Sequence, residues 1–213
     1  MIKGVIFDLD GVITDTAKLH YIAWKNLANS IGIDIDEEFN ESLKGISRTD
    51  SLIRILEYGG VRDKYSDQDI KILTDKKNDE YGKHLEGLTK EDILPGIENF
   101  IKELRDNNIK IGLASVSKNA SRILEILGLL DQVDFIADPG KVEKSKPAPD
   151  IFIESARGIG LAIDQVFGIE DSQAGVEAMR ACKMRSVGIG VDADLRLETT
   201  QDLSLEKIAL YFE

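Results

Sequence analysis

Hydrophobic residues near the start of the chain form a short continuous run. Val5, Ile6 and Phe7 are followed at once by the acidic stretch Asp8-Leu9-Asp10-Gly11. An unbroken apolar run of this length is typical of a strand buried on both faces, as in parallel sheets covered by helices. The pattern predicts a central strand that ends at two carboxylates. The alternative is a hairpin turn at Asp10-Gly11.

Strand-like and helix-like segments alternate through the second half of the chain. Further strands are predicted at residues 110–114, 133–137, 166–169 and 186–189, with helices at residues 97–104, around Ile151 and at residues 205–212. This alternation indicates parallel strands joined by crossover helices. We therefore expect an α/β core with a doubly wound, Rossmann-like parallel sheet.

Helical periodicity dominates between the first strand and this alternating half, and no strand pattern interrupts it. The first helix is expected over residues 15–28, with Thr14 or Asp15 as its N-cap. The chain is predicted to divide into an inserted α-helical cap domain, residues 15–88, and an α/β core domain, residues 1–14 and 89–213.

Charge narrows the choice of partners. The 213 residues include 27 basic and 39 acidic side chains, a formal net charge of −12. This charge argues against nucleic acid and against an anionic membrane surface as partners. No stretch has the apolar length of a membrane span, and the start lacks the pattern of a signal peptide. We expect a cytoplasmic protein, a monomer, that acts on a small molecule.

Carboxylates follow two of the predicted strands. Asp8 and Asp10 are two residues apart in extended chain and point the same way, so their charges need a cation or a proton nearby. Glu170 and Asp171 follow the strand at residues 166–169. Together they predict a site for a hard cation at the carboxyl edge of the sheet, where ligands bind in open α/β folds. Asp171 as a plain N-cap is the alternative.

Cationic and hydroxyl side chains follow the other strand ends. Ser115, Ser117, Lys118 and Asn119 precede a helix, where free amides and the helix dipole favour an anion. A simple N-cap at Ser117 or Asn119 is the alternative there. Lys146 lies between a strand and a helix, so its ammonium could neutralise the acidic cluster, although its proline-rich surroundings are also typical of a linker or a helix entry.

The cap contributes its own candidates. Thr16, His20 and Trp24 share one face of the first helix, and His20 is either a substrate contact or a half-buried, hydrogen-bonded histidine. The segment Leu43-Lys44-Gly45-Ile46-Ser47-Arg48 leaves one helix and enters the next, with a glycine for close approach and two cations. A solvated loop is the alternative for this segment.

Taken in order, these motifs resemble the haloacid dehalogenase-like superfamily of phosphotransferases and, within it, the bacterial β-phosphoglucomutase family. The resemblance runs through essentially the whole chain, including the cap. Its motifs are residues 7–16, 43–48, 115–119, 146–150 and 168–175. The family pattern usually has alanine where this chain has Val116.

The resemblance implies interconversion of β-glucose 1-phosphate and glucose 6-phosphate, with β-glucose 1,6-bisphosphate as intermediate and activator. Asp8 would be the nucleophile that forms an aspartyl phosphate, and Asp10 the general acid-base. Mg²⁺ would be held by Asp8, the Asp10 carbonyl, Glu170 and Asp171, and the transferring phosphoryl group by Ser115 and Lys146. The expected substrate contacts are Thr16, His20, Trp24, Leu43, Lys44, Gly45, Ile46, Ser47, Arg48, Lys76, Val116, Ser117, Lys118 and Asn119.

Two other functions stay open at this point. A sugar-phosphate phosphatase of the same superfamily would use the same core loops, with water as the second acceptor. A phosphate- or metal-binding regulatory domain without chemistry would require a missing catalytic group, and each expected group is present in the sequence.

Overall fold

A computed structural model describes residues 2–212, and its centre is a six-stranded parallel sheet in the order β3-β2-β1-β4-β5-β6. The strands are β1 Gly4–Phe7, β2 Lys110–Leu113, β3 Phe135–Ile136, β4 Val166–Glu170, β5 Arg185–Ile189 and β6 Leu195–Leu197. The order reverses at β1, which is where a doubly wound sheet opens a ligand crevice. The predicted fold class is confirmed.

The first strand lies in the middle of the sheet and is fully buried. It pairs in parallel with β2 on one side and with β4 on the other, so the hairpin interpretation of Asp10-Gly11 is wrong. Val5 and Phe7 enter one hydrophobic cluster, whereas Ile6 enters a second cluster on the opposite face. This alternation shows helices covering both faces of the sheet.

Nine α-helices lie within residues 2–212. They are α1 Ala17–Ser30, α2 Glu37–Glu41, α3 Arg48–Tyr58, α4 Asp67–His84, α5 Ile97–Asp106, α6 Ala120–Leu127, α7 Asp150–Gly158, α8 Gln173–Ala181 and α9 Leu205–Phe212. Helices α1 to α4 fall in the predicted cap, residues 15–88, and build a third hydrophobic cluster around Trp24, Leu52 and Leu56. Ala23, Tyr81 and Leu85 pack instead into the core cluster, at the base of the cap.

Three local predictions need correction. Helix α1 begins at Ala17, and Thr16 takes the N-cap position without a side-chain cap bond. Thr14, a predicted N-cap, does not cap the helix. Its hydroxyl donates to the Asp92 carbonyl at 2.8 Å, and this bond links the two segments in which the chain passes between core and cap. The Asp15 carboxylate accepts from the Ala17 amide at 3.1 Å.

The predicted sheet needs two corrections: one edge strand is shorter than predicted, and the other edge strand was not predicted. The strand predicted over residues 133–137 shortens to the two residues of β3, because β3 is an edge strand that pairs only with the last half of β2. The edge strand β6 was not predicted, since its three residues, Leu195 to Leu197, carry too short a pattern.

Candidate active site

Three carboxylates from two neighbouring strand ends converge at the carboxyl edge of the sheet. Asp8 follows β1, Glu170 ends β4, and Asp171 is the next residue. One oxygen from each of these side chains lies within 4.8 Å of the others. Asp8 and Glu170 are buried, at 5% and 0% exposure. Oxygen-only ligands at this spacing fit a hard divalent cation such as Mg²⁺.

The turn after Asp8 approaches this cluster very closely. Gly11 has φ +83°, and a Cβ atom built on it would lie 2.0 Å from Oδ2 of Asp171. A side chain at this position would therefore displace a carboxylate of the site, quite apart from the backbone strain of a positive φ. The glycine that suggested a turn from sequence is needed here so that the two loops can meet.

Lys146 neutralises the cluster directly. Its Nζ lies 2.6 Å from Oδ1 of Asp8 and 2.8 Å from Oε2 of Glu170, and the side chain is buried. Burial alone would lower the pKa of Lys146, but the two carboxylates outweigh it and raise the pKa above its ordinary value. The lysine is thus held charged, and its peptide bond to Pro147 is cis. The linker interpretation of this segment is wrong.

The remaining carboxyls of the cluster carry more negative charge than one lysine offsets. Burial, followed by the charge of Asp8, raises the pKa of Glu170 to about 7. Burial, followed by the charge of Glu170, raises the pKa of Asp171 to about 8. A divalent cation would stabilise the ionised forms, so the electrostatics agree with the metal site that the geometry suggests. Asp171 is not an N-cap, since Ser172 caps α8.

Asp10 lies beside this cluster in a different environment. The Thr16 hydroxyl donates to Oδ1 of Asp10, and His20 Nε2 lies 3.9 Å from the same oxygen. Burial and the nearby charge of Asp8 raise the pKa of Asp10 to about 7. A carboxyl with a pKa near neutrality can both give and take a proton, which suits a general acid-base.

A cleft between cap and core opens onto these residues, with a volume of about 830 Å³ that includes its solvent-open part. The cleft is lined by most of the residues predicted from the sequence. These are Asp8, Asp10, His20, Trp24, Leu43, Lys44, Gly45, Ile46, Arg48, Val116, Ser117, Asn119 and Asp171.

The loop after β2 is ordered by its own hydroxyl groups. The buried Ser115 hydroxyl accepts from the Ser117 amide at 3.0 Å, and the Ser117 hydroxyl accepts from the Asn119 amide at 3.2 Å. Asn119 holds the N-cap position of α6 without a side-chain cap bond. Its amide group donates instead to Oδ1 of Asn78 in the cap, at 2.9 Å. Asn119 therefore holds the predicted N-cap position, but its side chain joins the core to the cap domain instead of capping the helix.

The cap segment predicted to approach the core does so. Gly45 has φ +72°, and a Cβ there would lie 2.3 Å from Oγ of Ser172. Leu43 and Ile46 are buried, so the solvated-loop interpretation is wrong. Arg48 is the first residue of α3 and faces the cleft, with Ser47 as its N-cap.

One predicted contact is displaced by a single residue. Lys76 is exposed, whereas Lys77 is 2% exposed and lines the cleft. Its Nζ lies 2.7 Å from Nδ1 of His20 and 4.7 Å from the ring centroids of Trp24 and Tyr81. Burial, followed by the charge of Arg48, lowers the pKa of Lys77 to about 7. Burial, followed by the charge of Lys77, lowers the pKa of His20 well below its usual value.

Other cleft residues were missed altogether: Ala17, Asn40, Ser51, Asn78 and Tyr81. A signal for Lys77 was present. Residues 70, 74, 77 and 81 make a helical stripe along the buried face of α4, and a lysine within such a stripe is unusual. Asn40 and Ser51 gave no comparable signal, because isolated small polar residues are common on any helix.

The other predicted residues surround the cleft. The Thr16 hydroxyl donates to the Asp10 carboxylate, and the Ser115 and Glu170 side chains are buried. Ser47, Lys118 and Lys146 face a second groove between cap and core, which shares Ile46, Arg48 and Val116 with the cleft.

Fold and site together define a class of protein: an α/β phosphoryl-transfer enzyme with a helical cap over an aspartate and metal centre. The family model for haloacid dehalogenase-like hydrolases matches residues 2–183. The chain belongs to the haloacid dehalogenase-like family, and the resemblance noted from its motifs is confirmed.

Similar proteins within the family are mutases and phosphatases. The chain is 46% identical to the β-phosphoglucomutase of Bacillus subtilis over 96% of this chain and 92% of that protein. A crystal structure of β-phosphoglucomutase from Clostridium difficile matches with a TM-score of 0.97 and 47% identity, covering 100% of this chain and 97% of that one. A phosphorylated carbohydrates phosphatase of Thermotoga maritima is 26% identical over 87% of this chain and 83% of its own.

Among residues 2–212, none of the helices combines the length and the apolar character that crossing a bilayer requires.

Proposed function

We propose that this chain is a β-phosphoglucomutase, which interconverts β-D-glucose 1-phosphate and glucose 6-phosphate through an aspartyl phosphate and β-glucose 1,6-bisphosphate. The observation that carries the proposal is the pairing of two aspartates in one cleft. Asp8 is ion-paired with Lys146, and Asp10 has a pKa near 7. The identity to the Bacillus subtilis mutase supports the same reaction.

Asp8 is the nucleophile in this proposal. One of its oxygens attacks phosphorus, the bond from phosphorus to the leaving sugar oxygen breaks, and the Asp8 phosphate forms. Asp10 donates a proton to that oxygen, and in the second half-reaction it takes a proton from the attacking sugar hydroxyl. The two steps leave Asp8 free and Asp10 protonated again.

Charge neutralisation comes from both sides of the transferring group. Lys146 and the hydroxyl of Ser115 face it from the core. Mg²⁺, held by Asp8, Glu170, Asp171 and the Asp10 carbonyl, would offset the charge that spreads over the phosphoryl oxygens. The buried carboxylates with raised pKa values support this assignment.

The distal phosphate and the sugar belong to the cap side of the cleft. Arg48, Ser117, Lys118 and Asn119 would hold the distal phosphate, since their loops meet where the cap closes on the core. The sugar would contact Thr16, His20, Trp24, Val116 and residues 43–47. Lys77 takes the cap-lysine role that the sequence gave to Lys76, because Lys77 is the lysine that lines the cleft.

A sugar-phosphate phosphatase is the second candidate, and the similarity to the Thermotoga maritima phosphatase favours it. The same Asp8 phosphate would then be attacked by water. We prefer the mutase because the identity to the Bacillus subtilis mutase, 46%, is much higher than the 26% to the phosphatase, and because cap residues close the cleft over both aspartates.

Product analysis separates the two candidates. The protein is incubated with β-glucose 1-phosphate, Mg²⁺ and a trace of β-glucose 1,6-bisphosphate, and glucose 6-phosphate and free phosphate are both measured. Glucose 6-phosphate should account for nearly all substrate consumed, and Asp8→Asn should form neither product. Free phosphate formed at the rate of substrate consumption would replace the mutase with the phosphatase.

We further propose that the enzyme is a cytoplasmic monomer that binds neither nucleic acid nor membranes. The site takes its residues from a single chain, which is compatible with a monomer, and the net charge of −12 disfavours nucleic acid and anionic membranes. We place the enzyme in the cytoplasm, together with the sugar phosphates that it would use.

A further inference from the structure

Two hydrogen bonds join the core loop that holds Ser145 to the start of α3 in the cap, beside the second groove. The Ser145 hydroxyl in the core donates to Oδ2 of Asp50 in the cap at 2.8 Å, across 95 residues of sequence. The backbone amide of Ser47 also lies 3.4 Å from the Ser145 hydroxyl. Ser145 precedes Lys146, and Asp50 lies two residues after Arg48, so the bond links the neighbours of two proposed phosphate-binding residues.

The cap side of this contact is already ordered by local bonds. Ser47 is the N-cap of α3, and its hydroxyl accepts from the Asp50 amide at 3.1 Å while it contacts Oδ2 of Asp50 at 2.5 Å. The carboxylate is therefore fixed before it meets the core. A preorganised acceptor loses little entropy when it binds Ser145, and a hydrogen bond to an ionised group is stronger than a neutral one.

We propose that Ser145 and Asp50 form a latch between core and cap, which positions the start of α3 over the Lys146 loop and commits the phosphoryl group to bound sugar rather than to water. The effect on commitment rests on the proposed mutase function. The latch itself does not, because it is a contact between two parts of the fold. Ser145 and Asp50 are positioning residues here, acting through Lys146 and Arg48.

The structure gives a clean way to remove the latch. The other contact of the Ser145 hydroxyl within its own loop is with the Lys146 carbonyl, at 3.4 Å. Ser145→Ala therefore removes the link without touching helix capping, and Ser145→Thr keeps a hydroxyl at the position. Asp50→Asn alters the latch and the α3 cap together.

A matched control exists for that second variant. Ser66 and Asp69 form a similar N-terminal capping arrangement on α4, in which the Asp69 carboxylate accepts from both the hydroxyl and the backbone amide of Ser66. Asp69→Asn should therefore weaken the N-terminal capping of α4 without removing a contact with the core. A difference between Asp50→Asn and Asp69→Asn isolates the contact with Ser145.

The first readout is the ratio of free phosphate to glucose 6-phosphate during turnover of β-glucose 1-phosphate. A net hydrogen bond of about 0.5–1.5 kcal/mol corresponds to about a 2- to 12-fold change. We expect Ser145→Ala and Asp50→Asn to raise the ratio within that range, with a higher KM for the bisphosphate. Ser145→Thr and Asp69→Asn should stay near the wild type. An unchanged ratio in Ser145→Ala, or an equal rise in Asp69→Asn, overturns the role in commitment.

The second readout needs no activity and separates the latch from the reaction. Amide hydrogen exchange over residues 43–52 should be faster in Ser145→Ala than in the wild type, and restored in Ser145→Thr. If exchange is the same in all three proteins, there is no latch, whatever the enzyme makes. If exchange responds while the wild type forms no glucose 6-phosphate, the latch stands and the proposed function fails.

Discussion

Two aspartates that differ by two positions in sequence have different partners in the fold. Asp8 is buried against the ammonium of Lys146, at 2.6 Å, so its carboxylate is held in place beside Glu170 and Asp171. Asp10 has Thr16 and a neutral His20 as neighbours, and its pKa rises to about 7. One residue type can therefore serve as a nucleophile and as an acid-base within a single turn.

The role of Asp10 leads to a prediction at this scale. Asp10→Asn keeps the shape of the side chain but cannot exchange a proton, so turnover of β-glucose 1-phosphate should fall by about 10²–10⁴-fold. Hydrolysis of the Asp8 phosphate in the absence of sugar should change much less, because water in the open cleft is not placed against Asp10. Single-turnover rates for both reactions test this. A comparable loss in both would mean that Asp10 does not distinguish sugar from water.

Residue-level prediction from sequence worked where a side chain follows a strand. Asp8, Ser115 and Asp171 lie at the edge where parallel strands end, and the strand pattern alone places them there. It failed for the lysine of α4, because Lys76 was taken from the family resemblance, and the next residue on a helix lies about 100° away. The stripe of residues 70, 74, 77 and 81 points to Lys77 instead.

A strand can be predicted from sequence when it carries its own apolar run, and it is missed when it depends on pairing with a distant part of the chain. The central strands β1, β2 and β4 are buried and have clear apolar runs, so they were predicted close to their observed bounds. The edge strand β6 has alternating exposure over three residues and depends on its pairing with β5. Contacts between cap and core, such as Asn78 with Asn119, carry no sequence signal at all.

The cap loop provides a prediction for a whole element. Gly45→Ala adds a methyl group 2.3 Å from Oγ of Ser172, in addition to the strain of a positive φ. Gly60→Ala in the same cap has a similar φ, +66°, but open space around the new atom. Both variants should lose about 1–2 kcal/mol of stability from backbone strain. Gly45→Ala alone should also lower kcat/KM, by about tenfold for each 1.4 kcal/mol of clash in the closed cleft.

Steady-state kinetics and thermal melts of the two variants, side by side, measure this. If both lose stability and neither loses kcat/KM, residues 43–48 do not need to approach the core during turnover. If Gly60→Ala loses as much kcat/KM as Gly45→Ala, the effect is general strain in the cap and not the contact with Ser172.

Across the whole molecule, basic side chains gather at one cleft although the chain as a whole is acidic. The net charge is −12, yet Lys44, Arg48 and Lys77 line one cleft together with the buried Lys146 beneath it. In the proposed mutase, a phosphorylated sugar would therefore be bound by local cations in spite of the overall field. The buried acidic cluster should make the stability of the metal-free protein depend on pH.

The direction of that dependence follows from the raised pKa values of Asp10, Glu170 and Asp171. Each binds a proton more tightly in the native than in the unfolded state, so its stabilising contribution is complete below pH 4 and is lost as pH rises toward 7 or 8. The slope is up to about 1.4 kcal/mol per pH unit for each group. His20 has a lowered pKa, so its contribution to stability increases with pH, but it is one group against three. The pKa of Lys77 is lowered to about 7, so Lys77 affects the pH dependence of stability only above about pH 7.

In a chelator, the melting temperature should therefore be lower at pH 7 than at pH 5. Mg²⁺ should raise it more at pH 7 than at pH 5, because the metal binds the ionised carboxylates and must displace protons at the lower pH. Thermal melts at the two pH values, with and without Mg²⁺, provide the comparison. A metal-free protein that is more stable at pH 7, or equal stabilisation by Mg²⁺ at both values, would contradict the assigned metal site.

The destination of the phosphoryl group on Asp8 decides between a mutase and a phosphatase. The enzyme is phosphorylated on Asp8 and mixed with β-glucose 1-phosphate and Mg²⁺ in ¹⁸O-labelled water, and the products are followed by mass spectrometry. In a mutase the phosphoryl group passes to the sugar, so we expect β-glucose 1,6-bisphosphate first, glucose 6-phosphate next, and very little labelled phosphate. Labelled free phosphate released as fast as the phosphorylated enzyme disappears would show that water is the acceptor, and the mutase account would be wrong.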